Sequence, residues 1–337
     1  MLLKIFEKHR PFSHRPGTRY VLPGTSLVFT LFPTLIRWHD LSSAKNSGEL
    51  KLQVTGPVEG FTSQLDLERG FITVWGHAKE GYYKYRIQPD GQHFSVTTFK
   101  NLTLEGEYKE SGQSIQPPEI ERLHLGVSKK QDWELIQQRC DLKELIPIWY
   151  AMSQYAPICA CDEIASLYQQ CNILIEHREI EKIGDGMRSL FKAGFSGVFV
   201  PRLQDDDHNG FTLPPFVSSC PIGLLSASRQ MIRKLFVQLE ENRVHILPAL
   251  PVDFHCGKFI QIRLGEYGEL DIEWTKKTIR RLIFRCKKDT ELQFLFQNHL
   301  KRFRSRAVGS NKSRKFNCGE TLEFLSDKTY LFDNFQK

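Results

Sequence analysis

The apolar periodicity of this chain switches twice, and that double switch constrains its fold more than any other feature. Between residues 18 and 110, short runs rich in β-branched and aromatic residues follow one another at 19–22, 50–54, 70–75, 82–87 and 94–99. Turn residues separate them. In Gln88-Pro89-Asp90-Gly91 the proline presets φ and the glycine accepts a positive one. The apolar stretch 27–36, interrupted by Thr30, Pro33 and Thr34, reads as two short strands. Many short strands at near-regular spacing predict a sandwich. Residues 110–120, with Gly112 and Pro117-Pro118, read as a linker.

The period then lengthens. Ser128 with Gln131 forms a capping-box pattern before Trp133–Arg139, and Asp141 with Glu144 repeats it before 145–152, where Pro147 predicts a kink. Segments 162–178 and 179–195 read as amphipathic helices. In the second, Ile180, Ile183, Met187, Leu190 and Phe191 share a face, and Gly194 sits where a C-cap belongs. A further helix is predicted over 224–240. From Val244 strand patterns return, at 245–247, 259–263, 270–274, 278–284 and 322–325. The order β, then α, then β predicts a multi-part α+β chain. Its expected parts are an N-terminal β-sandwich over residues 1–120, a short helical middle over 121–243 and a C-terminal β-sandwich over 244–337.

A chain of 337 residues exceeds the roughly 250–300 at which single cores stop growing, so two or three parts are expected. No window supplies the about 20 apolar residues of a membrane span, and the charged start, residues 1–15, lacks the pattern of a secretory signal. Eight cysteines are scattered, and the one close pair, Cys159 and Cys161, lacks the second pair of a zinc site. Reduced thiols, a cytoplasmic location and no metal are the resulting expectations. The net charge of +7 is uneven: fourteen Lys or Arg lie between Lys276 and Lys315, against Asp289 and Glu291. This block interleaves with strand patterns and reads as a solvated basic face, with a polyanion-binding module as the alternative.

One stretch is more specific. The segment 244–284, VHILPALPVDF followed by GKFIQIRLGEYGELDIEWTKKTIRRLIF, places two prolines around a stiff connector and then a meander of alternating apolar positions. It resembles the join between the catalytic helices and the C-terminal sandwich of glycoside hydrolase family 95, the α-L-fucosidase-like enzymes. Leu247-Pro248-Ala249-Leu250-Pro251, residues 257–264, 270–274 and 278–280 carry the likeness. Pro214-Pro215-Phe216 and residues 230–238 are similar to the family's last barrel helix and its approach, residues 317–324 to its closing strand, and residues 63–87 to a strand pair of its N-terminal sandwich. The resemblance implies a carbohydrate ligand, hydrolysis with inversion in active members, and no organic cofactor.

The departures are as informative. Family members spend several hundred residues on an (α/α)6 barrel, whereas Ser128 to Arg243 is about 115 residues. At about 20–25 residues per helix and turn, that length makes an incomplete barrel. After Pro-Pro-Phe the family carries Q-I-D-G-N-F-G, whose aspartate belongs to the catalytic apparatus. Here residues 217–223 read VSSCPIG, with Ser219 in place of the aspartate. An inverting glycosidase needs two carboxyl groups about 6.5–9.5 Å apart, and the motif that would supply one is lost.

The candidates for a replacement site are therefore carboxylates elsewhere. Asp205, Asp206 and Asp207, followed by His208, Asn209 and Gly210, are the densest group. Like charges so close raise one pKa toward that of a general acid. Asp162 and Glu163 are the second pair, at a helix start where acids also serve the macrodipole. Asp132, Trp133 and Trp149, with His208 and Asn209, are the candidate sugar contacts, since a ring face stacks on C–H groups and a carboxylate binds hydroxyls. The leading reading is a degenerate glycoside-hydrolase-like protein that binds carbohydrate or is structural. An active inverting glycosidase with relocated carboxylates, Asp205 or Asp207 with Asp162 or Glu163, is the alternative enzyme. The third reading is the polyanion module of block 276–315.

Overall fold

A computed structural model describes residues 3–99, 102–110, 119–158, 166–196, 198–199, 220–310 and 312–337. Alternating apolar residues build the first eleven strands. They are β1 (Phe12–Ser13), β2 (Thr18–Val21), β3 (Leu27–Leu31), β4 (Leu35–Asp40), β5 (Ser43–Leu52) and β6 (Glu59–Asp66). Then come β7 (Phe71–Ala78), β8 (Gly81–Asp90), β9 (His93–Phe99), β10 (Leu104–Glu105) and β11 (Lys109–Glu110). They form a six-stranded sheet in the order β1-β6-β7-β8-β9-β11 and a five-stranded sheet in the order β10-β5-β4-β3-β2. The sheets meet face to face: Phe29 of β3 packs edge-on against Phe94 of β9 at 5.0 Å, and the Tyr20 hydroxyl of β2 reaches the Ser63 carbonyl of β6 at 3.3 Å. The apolar stretch 27–36 is indeed two strands, divided at Pro33.

The middle of the chain adds β12 (Arg122–His124) and the helices α1 (Trp133–Arg139), α2 (Leu142–Tyr155), α3 (Ser166–Glu176), α4 (Ile183–Gly194) and α5 (Pro221–Lys234). Asp141 caps α2 as expected, accepting from the Lys143 amide at 3.1 Å. The helix continues through Pro147, and tertiary packing explains why: most of its residues are buried. Ile183, Met187, Leu190 and Phe191 of α4 are buried together, but Ile180 lies before the helix and is exposed. The C-cap of α4 is Phe195, one residue beyond the predicted Gly194.

The predicted helix over 224–240 is corrected. α5 stops at Lys234, and β13 (Val237–Glu240) forms a hairpin with β14 (Arg243–Ile246). Glu241 turns the chain in the left-handed region at φ 52°, and the buried Phe236 and Val237 draw the segment into the sheet core. The remaining strands are β15 (Gly257–Arg263), β16 (Gly268–Thr275), β17 (Thr278–Cys286) and β18 (Thr290–Leu295). The chain closes with β19 (Arg302–Ala307), β20 (Arg314–Asn317), β21 (Thr321–Phe324) and β22 (Thr329–Gln336). A seven-stranded sheet, β12-β15-β16-β17-β22-β19-β20, faces a four-stranded one, β13-β14-β18-β21. Their shared core is phenylalanine-rich, with Phe284 on Phe324 at 5.0 Å and Phe294 on Phe332 at 5.1 Å. The protein is thus mostly antiparallel β-sheet around a short helical middle, and β12 brings the chain before the helices into the sheet that follows them. No helix among the described residues is long and apolar enough to cross a membrane.

The N-terminal segment ties these layers together. Leu3 and Ile5 are buried on the outer face of the seven-stranded sheet against Ile260, Ile283 and Leu331. Arg122 donates to the carbonyls of Ile5 and Glu7 at 3.3 and 2.9 Å, and the Gln131 side chain holds both the Arg10 amide and the Lys8 carbonyl. The segment then enters the first sheet as β1, beside β6.

Candidate functional site

One cleft is built by a turn and a helix start. Asp132 caps α1 by accepting from the Leu135 amide at 3.1 Å, so the Ser128–Gln131 capping box is corrected: the cap falls on Asp132, and Gln131 binds the N-terminal segment instead. Glu134 follows in the first turn of α1, where a negative charge favours the helix dipole. Its Oε1 accepts from the Ser13 hydroxyl at 2.6 Å, and the Thr18 hydroxyl lies 2.7 Å from the same oxygen. Those hydroxyls also pin the turn between β1 and β2. The Arg15 amide donates to Ser13 Oγ at 2.9 Å, Thr18 Oγ1 lies 2.8 Å from the Arg15 carbonyl, and Gly17 supplies a φ of 85°.

Between this turn, α1 and residues 198–199 lies a cleft of about 380 Å³. That volume is within the range of small-ligand sites, roughly 300–1,000 Å³. Its base is apolar: Trp133, only 1% exposed, meets the Phe199 ring edge-on at 6.0 Å, with Val198 beside them. Arg15, Arg19, Glu134 and Gln137 supply the polar lining. The Trp133 indole nitrogen is buried without a hydrogen-bond partner among the described residues.

Of the residues singled out in the sequence, Trp133 lines this cleft and Asp132 organises the helix that borders it. Trp149 does not join them. It has no exposed surface and packs on Phe191 and Phe195 at 5.3 and 5.6 Å, a core role. Asp162, Glu163, Asp205, Asp207, His208 and Asn209 lie outside the described residues, as do Cys159, Cys161 and Ser219. Arg15, Thr18, Arg19, Glu134 and Gln137 were not anticipated. The flanking of Pro16-Gly17 by arginines was the one local signal available.

Two of the other buried polar groups bear on the fold and its titration. The Glu121 carboxylate, 3% exposed, accepts from the Tyr150 hydroxyl, from the Arg263 amide at 2.9 Å and from Arg233 Nε at 3.3 Å. Burial, with the Glu121 charge beside it, pushes the Tyr150 hydroxyl pKa well above its ordinary value. This group locks β12, α2, α5 and β15 together. The second is His9, in the wall of a pocket of about 30 Å³, little more than one water, shared with His124, Lys129, Lys143 and Glu144. Burial, and then the nearby positive charges of Arg122 and His124, lowers the His9 pKa to about 4. No group of three metal-ligating side chains occurs among the described residues, and the six described cysteines are free thiols.

Five of the fourteen basic residues of the block 276–315 are paired with acids. Arg285 binds Asp271 through two bonds of 2.6 and 2.9 Å, Arg304 binds Asp333 at 2.7 Å, and Arg281 lies 3.7 Å from Glu273. Lys287 and Lys288 pair with Glu269 and Glu266. The acids come from β16, its preceding turn and β22, so the excess seen along the sequence is partly cancelled in space.

Compared with known proteins, no family model matches this chain and no curated protein matches it.

Proposed function

We propose that the protein is a non-catalytic, glycoside-hydrolase-like carbohydrate-binding protein whose ligand sits in the cleft between the β1–β2 turn and α1. The observation that carries this reading is the cleft itself: an apolar base beneath a rim of hydrogen-bonding side chains, which suits a ligand with C–H faces and hydroxyl edges. The family 95-like stretch 244–284 and the β–α–β order support the same ancestry, with the five described helices as the remnant of an α/α barrel. The loss of hydrolysis rests on chemistry. Ser219 stands where the family has its aspartate, and Glu134 is the one carboxylate among the described residues lining the cleft. Inversion requires two such groups.

The test pairs binding with turnover. Calorimetric titration with a panel of oligosaccharides is expected to find a ligand whose affinity falls about tenfold or more in Gln137→Ala, the scale of one lost hydrogen bond to a bound sugar. Aryl glycosides, α-L-fucoside included, are expected to remain intact. Hydrolysis abolished in the Asp205→Ala/Asp207→Ala double variant would instead establish the active-enzyme reading with relocated carboxylates.

A further inference from the structure

Resting on that reading of the cleft, we infer that it selects an acidic sugar, one bearing a carboxylate, with the Arg15 guanidinium as the carboxylate-binding group. The juxtaposition that points there is the exposed Arg15 guanidinium beside an apolar base in a shaped site. Among the described residues, Glu134 is the one carboxylate that lines the cleft with it. The Glu134 Oε1 is already engaged by the Ser13 and Thr18 hydroxyls, so part of its acceptor capacity is turned away from any ligand. No carboxylate among the described residues lies within ion-pair distance of the exposed Arg15 side chain.

The backbone around Arg15 is fixed on both sides. Its amide donates to Ser13 Oγ, its carbonyl lies beside Thr18 Oγ1, and the next residues are the Pro16-Gly17 turn. This is more anchoring than a solvated surface arginine requires. A guanidinium presents a planar fork of donors that matches a planar carboxylate through two parallel bonds. The pyranose ring of a uronate would then lie toward Trp133 and Phe199, and its hydroxyls toward Gln137 and the free lone pairs of Glu134. A neutral sugar offers the arginine nothing comparable.

The experiment titrates the full chain with three probes: a galacturonate trisaccharide, its carboxyl-reduced neutral counterpart, and a sulfated galactose trisaccharide. The uronate is expected to bind about tenfold or more tighter than the neutral sugar, the scale of one charge-assisted bond. Arg15→Ala should weaken uronate binding about tenfold more than neutral-sugar binding, erasing the preference without lowering the melting temperature, and Arg15→Lys should restore only part of it. Raising the salt should narrow the gap, since the arginine is exposed. Equal binding of uronate and neutral sugar, or a preference for the sulfated probe, overturns the inference and leaves the carbohydrate reading standing. Binding of none of the three overturns the inference, and failure of the whole oligosaccharide panel as well overturns the carbohydrate reading.

Discussion

His9 shows how one residue couples pH to the stability of this protein. Its imidazole is enclosed, with Arg122, His124 and Glu7 as charged neighbours and Leu123 as a backbone partner. The native state holds the ring neutral, with a pKa near 4, whereas the unfolded chain titrates near the ordinary 6.5. Between those values the unfolded state binds more protons, so stability is complete above about pH 6.5 and is lost as pH falls toward 4. The displacement corresponds to a loss of at most about 3 kcal/mol. Urea denaturation across this window should show the decline, and His9→Gln should flatten it. A decline unchanged in the variant would assign it to other groups. Glu121 makes the complementary case of a charge that must stay partnered. Glu121→Ala removes the acceptor of the buried Tyr150 hydroxyl and of Arg233 Nε, although Arg233 keeps the Arg263 carbonyl, and should cost more than Tyr150→Phe, which should cost about 1–3 kcal/mol. Urea midpoints for the two variants check that order. Neither role was legible in the sequence, because Glu121 meets Tyr150 and Arg233 at separations of 29 and 112 residues, and His9 meets Arg122 only once the N-terminal segment has docked.

Among the elements, those whose pattern is local were legible and those that depend on distant pairing were not. The strands β3 and β4, the capped start of α2 and the meander β15 to β17 follow from apolar alternation, Asp141 and the turns. The short strand β13 was hidden because Val237 and Leu239 prolong the apolar run of α5 into a hairpin, and β12 because it exists only as the neighbour of β15, far along the chain. The candidate cleft was half legible for the same reason. Trp133 and Asp132 mark the helix start, but Glu134 acquires its role from Ser13 and Thr18, brought there by the first sheet. The strands β12, β15 and β16, neighbours in that order, are sensitive at Gly257, the start of β15. A β-carbon there would lie 2.3 Å from the Trp274 ring and 2.7 Å from the His124 carbonyl oxygen. Gly257→Ala should therefore destabilise by about 1–3 kcal/mol, because the indole is fully buried, its nitrogen is bonded to the Phe254 carbonyl, and the second obstacle is backbone. Chemical denaturation monitored by tryptophan fluorescence measures it. A variant as stable as the parent would mean that the strand start shifts without cost.

On the scale of the whole molecule, the two pairs of facing sheets are connected by α2 and by the N-terminal segment. The Tyr155 hydroxyl at the end of α2 binds the Leu67 carbonyl of the first half, while the Tyr150 ring packs on Phe259 of the second at 5.4 Å. The N-terminal segment spans the same halves from outside. Its alternation, Leu3 and Ile5 inward with Lys4 and Phe6 outward, is the signature of an extended chain laid on a sheet, although its charges dominate a reading of the sequence alone. If the segment holds the halves together, its apolar anchors must contribute to global stability; if it merely rests on a finished surface, they need not. Buried Leu and Ile side chains truncated to Ala cost about 2–5 kcal/mol each in full cores, and these two lie at the edge of theirs. Leu3→Ala/Ile5→Ala should accordingly lower unfolding free energy by about 3–6 kcal/mol and increase binding of a hydrophobic dye to the uncovered Ile260, Ile283 and Leu331. Cooperative unfolding at a lower urea midpoint would show that the segment is part of the fold's closure. Dye binding without a change of midpoint would show a cover that peels away while both halves remain joined through α2.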